Sequence, residues 1–470
     1  MNNKFYITTP IYYVNAKPHI GHAYTTIAAD VLARFYRQQL GKENVFFLTG
    51  TDEHGQKIQK VAEEAGKNPQ EFSDDIAGQF KDLWEKLDIK YDNFIRTTDE
   101  NHKKAVQKVL QTLYDKKAIY RGEYEGLYCV GCEQFKNESE LVDGKCPDHN
   151  TVPELLKEES YMLKMTDTQS ELIKKIENDE FKIAPEKYKK EMLSFLKSQT
   201  LNDVSVSRKN VSWGIPLPFD TTHTTYVWVD AFLNYLTGLG WNGDEKKLPE
   251  MWPIDVNLIG KDILRVHATI WPAILMHLGI ELPRVLFTHG HILSGGKKMS
   301  KTLGNTISID DMLEKFGVDG TRYLLLSAGP FGGDIDVTME RMVEKYNSDL
   351  ANGLGNLASR VVKLGTEHGF KMGKIEMDNK LAQLIQSMQF SGALEDIWEV
   401  IREDNLYIES NKPWELVKSD LSKFSDVMQK LFIDLNKIAT YLKPFMPETS
   451  KKIQEALKNK KIEPMFQRIK

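Results

Sequence analysis

Residues 4–55 read KFYITTPIYYVNAKPHIGHAYTTIAADVLARFYRQQLGKENVFFLTGTDEHG, and this stretch decides the fold. Lys4–Thr9 is β-branched and aromatic, which predicts a strand, and Pro10–Pro18 is expected to form a loop. Gly21–Leu40 carries apolar residues at helical spacing, and Asn44–Thr49 predicts a second buried strand. This order predicts an α/β fold with a doubly wound Rossmann-type sheet, whose ligand crevice lies at the C-terminal ends of the strands.

The same order of strand, helix and strand recurs later in the chain. Val256–Ile259 and Arg284–Thr288 have the composition of buried strands, and Val266–Leu278 between them has helical spacing. Residues 117–225 are therefore interpreted as an insertion that splits one Rossmann-type domain. From about residue 340 the pattern predicts an all-α bundle, with helical segments at Ser348–Leu364, Leu381–Leu406 and Lys423–Tyr441.

Composition narrows the class of protein. The chain has 470 residues, enough for roughly three domains, and is 41% hydrophobic and 27% charged, which excludes disordered and fibrous proteins. Its net charge of −5 is not typical of proteins that coat nucleic acid without sequence preference. The longest apolar stretch, Ala268–Leu282, is interrupted by Pro272 and His277, and the N-terminus lacks the apolar run of a signal peptide. We expect a cytoplasmic protein with no membrane partner.

The motif His19-Ile20-Gly21-His22 stands where the predicted loop becomes a helix. A helix N-terminus attracts phosphate because its N–H groups are unpaired and its dipole end is positive. Two imidazoles three positions apart can donate hydrogen bonds to oxygens that gain charge as phosphorus is attacked, and Gly21 leaves room for a nucleotide base. Alone, the motif could be a surface cap; its place after a strand favours a nucleotide site.

A second phosphate signal is the run Lys297-Lys298-Met299-Ser300-Lys301-Thr302. Glycines on both sides predict a loop that can close, and clustered lysines suit a polyphosphate. Such a loop alone is usually only solvated. Together with the histidine motif, it predicts a site that closes over a triphosphate.

All three cysteines fall in one short segment. Cys129-Val130-Gly131-Cys132 is followed, after thirteen residues, by Cys146-Pro147-Asp148-His149. Two such half-sites supply four ligands for tetrahedral Zn²⁺. Because the protein fills all four positions, we expect one structural zinc that folds the insertion, with no open position for catalysis.

HIGH at 19–22 and KMSKT at 298–302, in this order, resemble the class I aminoacyl-tRNA synthetases. In detail the chain is similar to the methionyl-tRNA synthetase family over nearly its full length. The other matching segments are TPIYYVN at 9–15, TGTDEHG at 49–55, YVWVD at 226–230, IGKDI at 259–263, NLASR at 356–360 and PW at 413–414.

The resemblance implies activation of L-methionine by ATP to methionyl-adenylate, and then transfer to the terminal adenosine of tRNA(Met), initiator tRNA included. It implies that His19 and His22 stabilise the reacting phosphorus and that Lys298 and Lys301 hold the outer phosphates with Mg²⁺. The ATP-binding positions that it implies are Asn15, His19, Gly21, His22, Arg208, Lys261, Asp262, Lys298, Ser300 and Lys301.

The methionine-binding positions that the resemblance implies are Ile11, Tyr13, Asp52, Trp228, Tyr235 and His267. Aromatic rings suit a thioether because sulfur–ring contacts add to simple burial, although ordinary core packing is the alternative for each ring. Asp52 matches the carboxylate that receives the substrate ammonium group; it could also cap the following helix.

For the helical part of the chain, the resemblance implies an anticodon-binding role. Asn356, Arg360 and Trp414 match the positions that contact the CAU anticodon, although Trp414 could instead be a buried residue at a helix start. The last twenty residues carry seven basic and two acidic side chains and are expected to contact the tRNA backbone weakly or to aid solubility. The chain stops at Lys470, before the dimerising domain of many relatives, so we expect a monomer.

These expectations divide the chain into five segments. They are the two Rossmann halves at 1–116 and 226–289, the insertion with its zinc knuckle at 117–225, the KMSKT loop and stem-contact region at 290–340, and the helical anticodon-binding domain at 341–470.

Several alternatives belong to other classes of protein. Small adenylyltransferases that share the HIGH motif are single domains, and the synthetases for Ile, Val and Leu need a large editing insertion. Cysteinyl-tRNA synthetase also holds zinc but takes a cysteine ligand near HIGH, and here no cysteine precedes Cys129. A synthetase-like tRNA-binding protein without charging activity is the remaining alternative, and the intact HIGH and KMSK residues disfavour it.

Overall fold

The computed structural model describes residues 3–131, 134–136, 138, 141–147, 150–209, 211–299, 305–365, 370, 372–373 and 375–470. The chain divides into two compact units. The first unit takes in the chain up to Pro18, Leu40–Glu85 and Lys90–Thr288. The second takes in His19–Gln39, Lys86–Ile89 and His289–Lys470.

The strands are β1 (Phe5–Tyr13), β2 (Val45–Asp52), β3 (Asn93–Arg96), β4 (Ile119–Cys129), β5 (Gln134–Lys136), β6 (Glu154–Leu163), β7 (Lys182–Ala184), β8 (Val204–Ser205), β9 (Ser207–Arg208), β10 (Thr224–Thr225), β11 (Val256–Gly260), β12 (Val285–His289), β13 (Ile292–Ser294), β14 (Lys297–Lys298) and β15 (Ile335–Asp336).

The helices are α1 (Ile20–Leu40), α2 (Gln56–Glu64), α3 (Pro69–Lys86), α4 (Glu100–Asp115), α5 (Thr166–Glu177), α6 (Glu186–Ser198), α7 (Val227–Phe232), α8 (Asn234–Thr237), α9 (Leu264–Leu278), α10 (Ile309–Leu326), α11 (Met339–Lys345), α12 (Asn356–Gly365), α13 (Asn379–Gln386), α14 (Phe390–Asn411), α15 (Pro413–Ser419), α16 (Leu421–Leu442) and α17 (Pro447–Asn459). Short 3₁₀ turns occupy Lys42–Asn44 and Lys261–Ile263, and Tyr346–Gly355 is a π-helix.

The first unit is built on a six-stranded parallel sheet with the order β3-β2-β1-β11-β12-β7. The order reverses between β1 and β11, and such a switch point is where open α/β sheets bind their ligands. The predicted α/β fold with a parallel sheet is confirmed.

Strand β1 is longer than the sequence predicted. The predicted loop at Pro10–Pro18 is wrong for Ile11–Tyr13, which continue the strand and pair with β2. The register shifts between Thr8 and Ile11, around Pro10. Proline has no N–H to donate to a sheet, and a shift in register is a place where strands tolerate it.

The segment 117–225 contains a separate four-stranded antiparallel sheet with the order β5-β4-β6-β8. The same segment also contains β7, which forms the edge strand of the parallel sheet, where Ile183 pairs with Leu286 of β12. The main core of the first unit joins sheet residues to the helices that cover them. Its buried members include Tyr6, Leu48, Val109 and Trp271.

The second unit begins with α1 and continues from His289 to the C-terminus. A small sheet with the order β14-β13-β15 precedes the helices of the C-terminal region. From residue 337 onward the described residues form helices and connecting turns, as predicted for the bundle. Among the parts of the chain that the structure describes, no helix is both long enough and apolar enough to cross a membrane.

Candidate active site

The carboxyl ends of β1 and β2 bring three sequence-predicted residues together. Tyr13 pairs directly with Asp52 across the two strands, and Ile11 pairs with Gly50 two positions earlier. Successive strand side chains point to opposite faces, so Ile11 and Tyr13 share one face. Both are half-buried, whereas Tyr12 between them is buried and stacks on Phe80 with ring centroids 5.4 Å apart.

Asp52 is buried and closes β2. The alternative role as a helix cap is wrong, because α2 begins later and its N-cap residue is Gly55. Asp52 therefore lies at the C-terminal end of the parallel sheet, where open α/β sheets bind their ligands.

Trp228, Tyr235 and His267 form one aromatic cluster in the first unit. The His267 ring lies 6.2 Å from Trp228 and 6.1 Å from Tyr235, measured between centroids. Tyr235 and His267 are buried, and Trp228 is half-buried. The sequence predicted this grouping from positions far apart in the chain.

Hydrogen bonds define which ring nitrogen of His267 carries the proton. Its Nδ1 lies 2.9 Å from the Ile263 carbonyl oxygen, and its Nε2 lies 2.9 Å from the Tyr235 hydroxyl. A carbonyl only accepts, so Nδ1 carries the proton and Nε2 accepts from Tyr235. Burial lowers the pKa of His267 to about 4. The cluster therefore offers an uncharged, polarizable surface, which suits a thioether better than a cation would.

The predicted ATP-binding residues of the first unit lie near strand ends and turns. Lys261 and Asp262 occupy the 3₁₀ turn directly after β11, and Asn15 lies in the turn after β1. Arg208 is buried, and its Nη1 donates to Ser205 Oγ and to the Ser207 carbonyl, each at 2.7 Å.

Arg208 also borders a small, partly open cavity. Its guanidinium lies over the Tyr226 ring at 4.2 Å, which is a cation–π contact. The lining residues are Gly55, Gln56, Tyr128, Arg208, Val211, Thr225, Tyr226 and Val227.

The HIGH motif lies in the second unit, at the start of α1. The imidazoles of His19 and His22 stack with centroids 3.7 Å apart. The His19 N–H donates to His22 Nδ1 at 3.2 Å, and the Gly21 N–H donates to His19 Nδ1 at 3.1 Å. Because both Nδ1 atoms accept, each neutral ring carries its proton on Nε2. Burial lowers the pKa of His22 well below its usual value, and the neighbouring His19 lowers it further.

Gly21 leaves room for the His19 side chain. A Cβ atom at position 21 would lie 2.9 Å from His19 Cε1 and 3.1 Å from His19 Nδ1. A side chain there would push the imidazole away from its hydrogen bond with the Gly21 N–H.

The lysine loop is described only in part. Gly295 and Gly296 adopt positive φ and turn β13 into β14, which ends at Lys298. The Gly296 N–H donates to Asp336 Oδ1 at 3.1 Å. Ser300 and Lys301 lie outside the described residues.

Two of the four predicted zinc ligands can be located. Cys129 ends β4, Cys146 follows a tight turn, and both are buried and outside any disulfide. Cys129 Sγ lies 3.9 Å from Thr151 Oγ1. Cys132 and His149 lie outside the described residues, and no cluster of three metal-ligating side chains occurs among those described.

The predicted anticodon residues lie in the helical part of the second unit. Asn356 begins α12 directly after the π-helix, and Arg360 follows one turn later. The Arg360 guanidinium lies 5.4 Å from the Trp414 ring and donates to Glu409 Oε1 at 2.7 Å. Trp414 is 37% exposed, so the alternative of a buried helix-start residue is wrong.

Sequence reasoning missed a group of buried polar side chains. Glu53 accepts from both Arg96 Nε and Arg96 Nη2, at 2.7 and 2.8 Å. His54 Nδ1 donates to Asp230 Oδ2 at 2.6 Å. The His54–Asp230 pair joins the matching segments TGTDEHG and YVWVD, whereas Arg96 lies outside both. The available signal in the sequence was that Asp230 stands among apolar residues, because a buried aspartate needs a polar partner.

Comparisons with known proteins identify the family of this chain. The family model described as tRNA synthetases class I (M) matches residues 5–152 and 149–362. The methionine–tRNA ligase of Caldanaerobacter subterraneus subsp. tengcongensis is 45% identical over 97% of this chain and 74% of its own length. That of Clostridium tetani is 46% identical, with the same shares of the two chains.

Solved structures are similar over 96% of the chain. Methionyl-tRNA synthetase of Mycobacterium tuberculosis in complex with methionyl-adenylate superposes with a TM-score of 0.89 at 36% identity, covering 96% of this chain and 93% of that one. Its apo form superposes with a TM-score of 0.80 at 34% identity, covering 96% and 91%. The chain thus belongs to the methionine–tRNA ligases, a family of class I aminoacyl-tRNA synthetases.

Proposed function

We propose that this chain activates L-methionine with ATP at the ends of β1, β2 and β11 and transfers it to tRNA(Met), initiator tRNA included. The observation that carries this proposal is the neutral His267, which lies between Tyr235 and Ile263 beside the Trp228 ring. This arrangement is an uncharged aromatic surface for a thioether, and Asp52 provides a carboxylate for an ammonium group.

The first step forms methionyl-adenylate. A methionine carboxylate oxygen attacks the α-phosphorus of ATP, the bond to the bridging oxygen breaks, and pyrophosphate leaves. Asp52 binds the ammonium group, and Ile11, Tyr13, Trp228, Tyr235 and His267 surround the side chain. Carboxylate attack needs no general base, so catalysis rests on positioning and on stabilisation of charge.

The HIGH histidines stabilise that charge. Protons on both Nε2 atoms make His19 and His22 donors toward phosphate oxygens while the rings stay neutral. Gly21, Asn15, Arg208, Lys261 and Asp262 border the nucleotide. Lys298, Ser300 and Lys301 hold the outer phosphates, and Mg²⁺ supplies further positive charge when bound.

The second step charges the tRNA. A ribose hydroxyl of the terminal adenosine attacks the activated carbonyl, AMP leaves, and the aminoacyl ester forms. Asn356, Arg360 and Trp414 recognise the anticodon by stacking and hydrogen bonding. The exposure of Trp414 and its cation–π contact with Arg360 support this assignment.

The proposal includes one structural Zn²⁺ held by Cys129, Cys132, Cys146 and His149. The buried thiols of Cys129 and Cys146 fit such a site, since thiolates are preferred zinc ligands. Reduced cysteines of this kind agree with a cytoplasmic location. The proposed segments are a catalytic domain at 1–116 and 226–289, the zinc insertion at 117–225, the loop and stem-contact region at 290–340, and the anticodon-binding domain at 341–470, in a monomer.

The test is exchange of labelled pyrophosphate into ATP with each of the twenty amino acids in turn. Exchange with methionine alone is expected, followed by charging of tRNA(Met). Exchange with cysteine instead would overturn the methionine pocket. Exchange with no amino acid, from folded and zinc-loaded protein, would leave a tRNA-binding protein without charging activity.

A further inference from the structure

A continuous chain of buried hydrogen bonds crosses the first unit. His54 Nδ1 lies 2.6 Å from Asp230 Oδ2, and His102 Nε2 lies 2.7 Å from Asp230 Oδ1. His102 Nδ1 lies 2.7 Å from Thr237 Oγ1. All four side chains are buried. We call this set of residues the Asp230 chain.

Its four members come from four separate elements. His54 follows β2, His102 belongs to α4, Asp230 to α7 and Thr237 to α8. The Asp230 carboxylate therefore joins segments that are distant in sequence. Both of its oxygens accept a hydrogen bond from an imidazole, which is what a buried carboxylate needs in order to remain ionised. Burial alone would raise the pKa of Asp230, but His54 and His102 beside it hold the pKa below its usual value.

The Asp230 chain is directly attached to two residues of the proposed methionine site. His54 follows Asp52 by two positions, and Asp230 follows Trp228 by two positions within the same short helix. A shift of the His54–Asp230 bond moves the backbone that carries the ammonium-binding carboxylate relative to the backbone that carries the indole. Neither side chain of this bond needs to touch the substrate for the effect.

Other contacts hold the rest of the TGTDEHG segment. Glu53 is fixed by Arg96, and the Gly55 N–H donates to the Trp213 carbonyl at 3.0 Å. The Trp213 indole Nε1 donates to the Glu53 carbonyl at 2.5 Å. With its neighbours fixed in this way, His54 connects this segment to α7 through its bond to Asp230.

The geometry points to His54, Asp230 and His102 as positioning residues for methionine, which set the separation of Asp52 and Trp228. This role rests on the proposed methionine site and deepens it, because it assigns substrate affinity to a buried network rather than to contact residues alone.

The two histidines use different ring nitrogens, and this difference supplies matched variants. An asparagine amide nitrogen takes the place of Nδ1, whereas a glutamine amide nitrogen reaches the place of Nε2. His54→Asn and His102→Gln keep the bond to Asp230. His54→Gln and His102→Asn replace the same residues with the other amide and lose that bond.

The measurement is methionine-dependent pyrophosphate exchange, with KM determined separately for methionine and for ATP. His54→Gln and His102→Asn are expected to raise the methionine KM about tenfold, equivalent to one weakened hydrogen bond, with the ATP KM and kcat within about twofold. The paired variants His54→Asn and His102→Gln are expected to restore most of the affinity. His277→Gln serves as a control for histidine loss, because the Nε2 atom of His277 bonds the Lys164 carbonyl in the same unit.

Methionine binding without ATP gives a second readout. Titration followed by tryptophan fluorescence reports the affinity directly, and thermal unfolding reports the fold. If His102→Asn does not fold, Thr237→Val is the substitute variant. It removes the hydroxyl group at the far end of the Asp230 chain and keeps the shape of the side chain, and a two- to threefold weaker methionine affinity is expected.

The outcomes separate the two proposals. No methionine-dependent exchange in the wild-type protein would overturn the proposed function and the positioning role together. An active wild type whose methionine KM is unchanged by His54→Gln and His102→Asn would overturn the positioning role alone. Equal rises in the methionine and ATP KM values, with a matching loss of thermal stability, would also overturn it, because they mark a general folding role.

Discussion

Arg322 Nη2 lies 2.7 Å from Asp30 Oδ2, and both side chains are fully buried. The pair joins α1, which begins at the HIGH motif, to α10. The guanidinium also donates to the carbonyls of Leu87, Pro444 and Phe445. One buried arginine thus connects the first helix to the turn between the last two long helices of the second unit.

Arg322→Met is expected to destabilise the protein by about 3 kcal/mol. Asp30 keeps its ion pair with Arg34 but loses its bond to Arg322, and three buried carbonyls lose a donor. Urea unfolding followed by circular dichroism measures this loss. Arg341→Met removes an exposed partner of Asp336 and should cost less than about 1 kcal/mol. Equal small losses for the two variants would contradict the prediction.

Gly21→Ala is expected to lower kcat for pyrophosphate exchange about 100-fold, because the added methyl group displaces the His19 imidazole and one phosphate donor is lost. Gly78→Ala is the control, since a Cβ there meets nothing within 4 Å. The control should keep full activity and should be slightly more stable. Full activity in Gly21→Ala would show that the position of His19 is unimportant.

His267 makes stability depend on pH in a defined window. Its pKa is about 4 in the folded protein, against an ordinary value of 6.5, so only the unfolded chain takes up a proton between these values. Its contribution is complete above pH 6.5 and is lost as the pH falls toward 4, by up to about 3 kcal/mol. Comparison of wild type with His267→Asn by urea unfolding at pH 4.5, 5.5 and 6.5 isolates this effect. Parallel pH profiles would argue against it.

Cys146→Ser is expected to abolish zinc binding and to lower the thermal unfolding temperature of the protein. The buried thiol supplies one of four proposed ligands, and a structural zinc contributes directly to folding. Metal content per chain, measured by atomic emission, should be one zinc in the wild type. Lys145→Ser changes the exposed neighbour and should leave that content intact. Equal metal in wild type and Cys146→Ser would exclude the site.

Trp414→Ala is expected to leave methionine-dependent exchange unchanged and to lower kcat/KM for tRNA charging about 10- to 100-fold, the usual effect of losing one base-stacking ring. Leu421→Ala removes another exposed apolar side chain of the helical region and is the control. A loss of both activities in Trp414→Ala would instead indicate a folding role.

The sequence predicted helices and strands correctly where local composition and the spacing of apolar residues indicate them. The parallel strands and α1 were evident from β-branched runs and helical spacing. The exceptions have physical causes. The strand continues past Pro10 because a register shift accommodates the missing N–H. The break between α13 and α14 is closed by Gln389 N donating to the Leu384 carbonyl around Met388, which has positive φ. Glycine usually occupies that position, so the sequence held no sign of it.

Long-range pairing was harder to predict than local structure. The aromatic cluster around His267 was located through matching motifs. In contrast, the bonds that Asp230 makes with His54 and His102 depend on how α7 and α4 pack against the segment after β2, and local sequence does not encode this. The π-helix before Asn356 was also missed, because apolar spacing over ten residues does not separate π from α geometry.

The sheet order also has a consequence for how the protein is made. Ile7 of β1 pairs with Val256, and Asp30 of α1 pairs with Arg322. During synthesis on the ribosome, the first strand and the first helix thus emerge long before their partners exist. Arg34 of the same helix can pair with Asp30 early, but the edge of β1 that will meet β11 stays open until late in translation, and open strand edges favour aggregation. We therefore expect the yield of folded protein to rise when the N-terminal part is protected during synthesis.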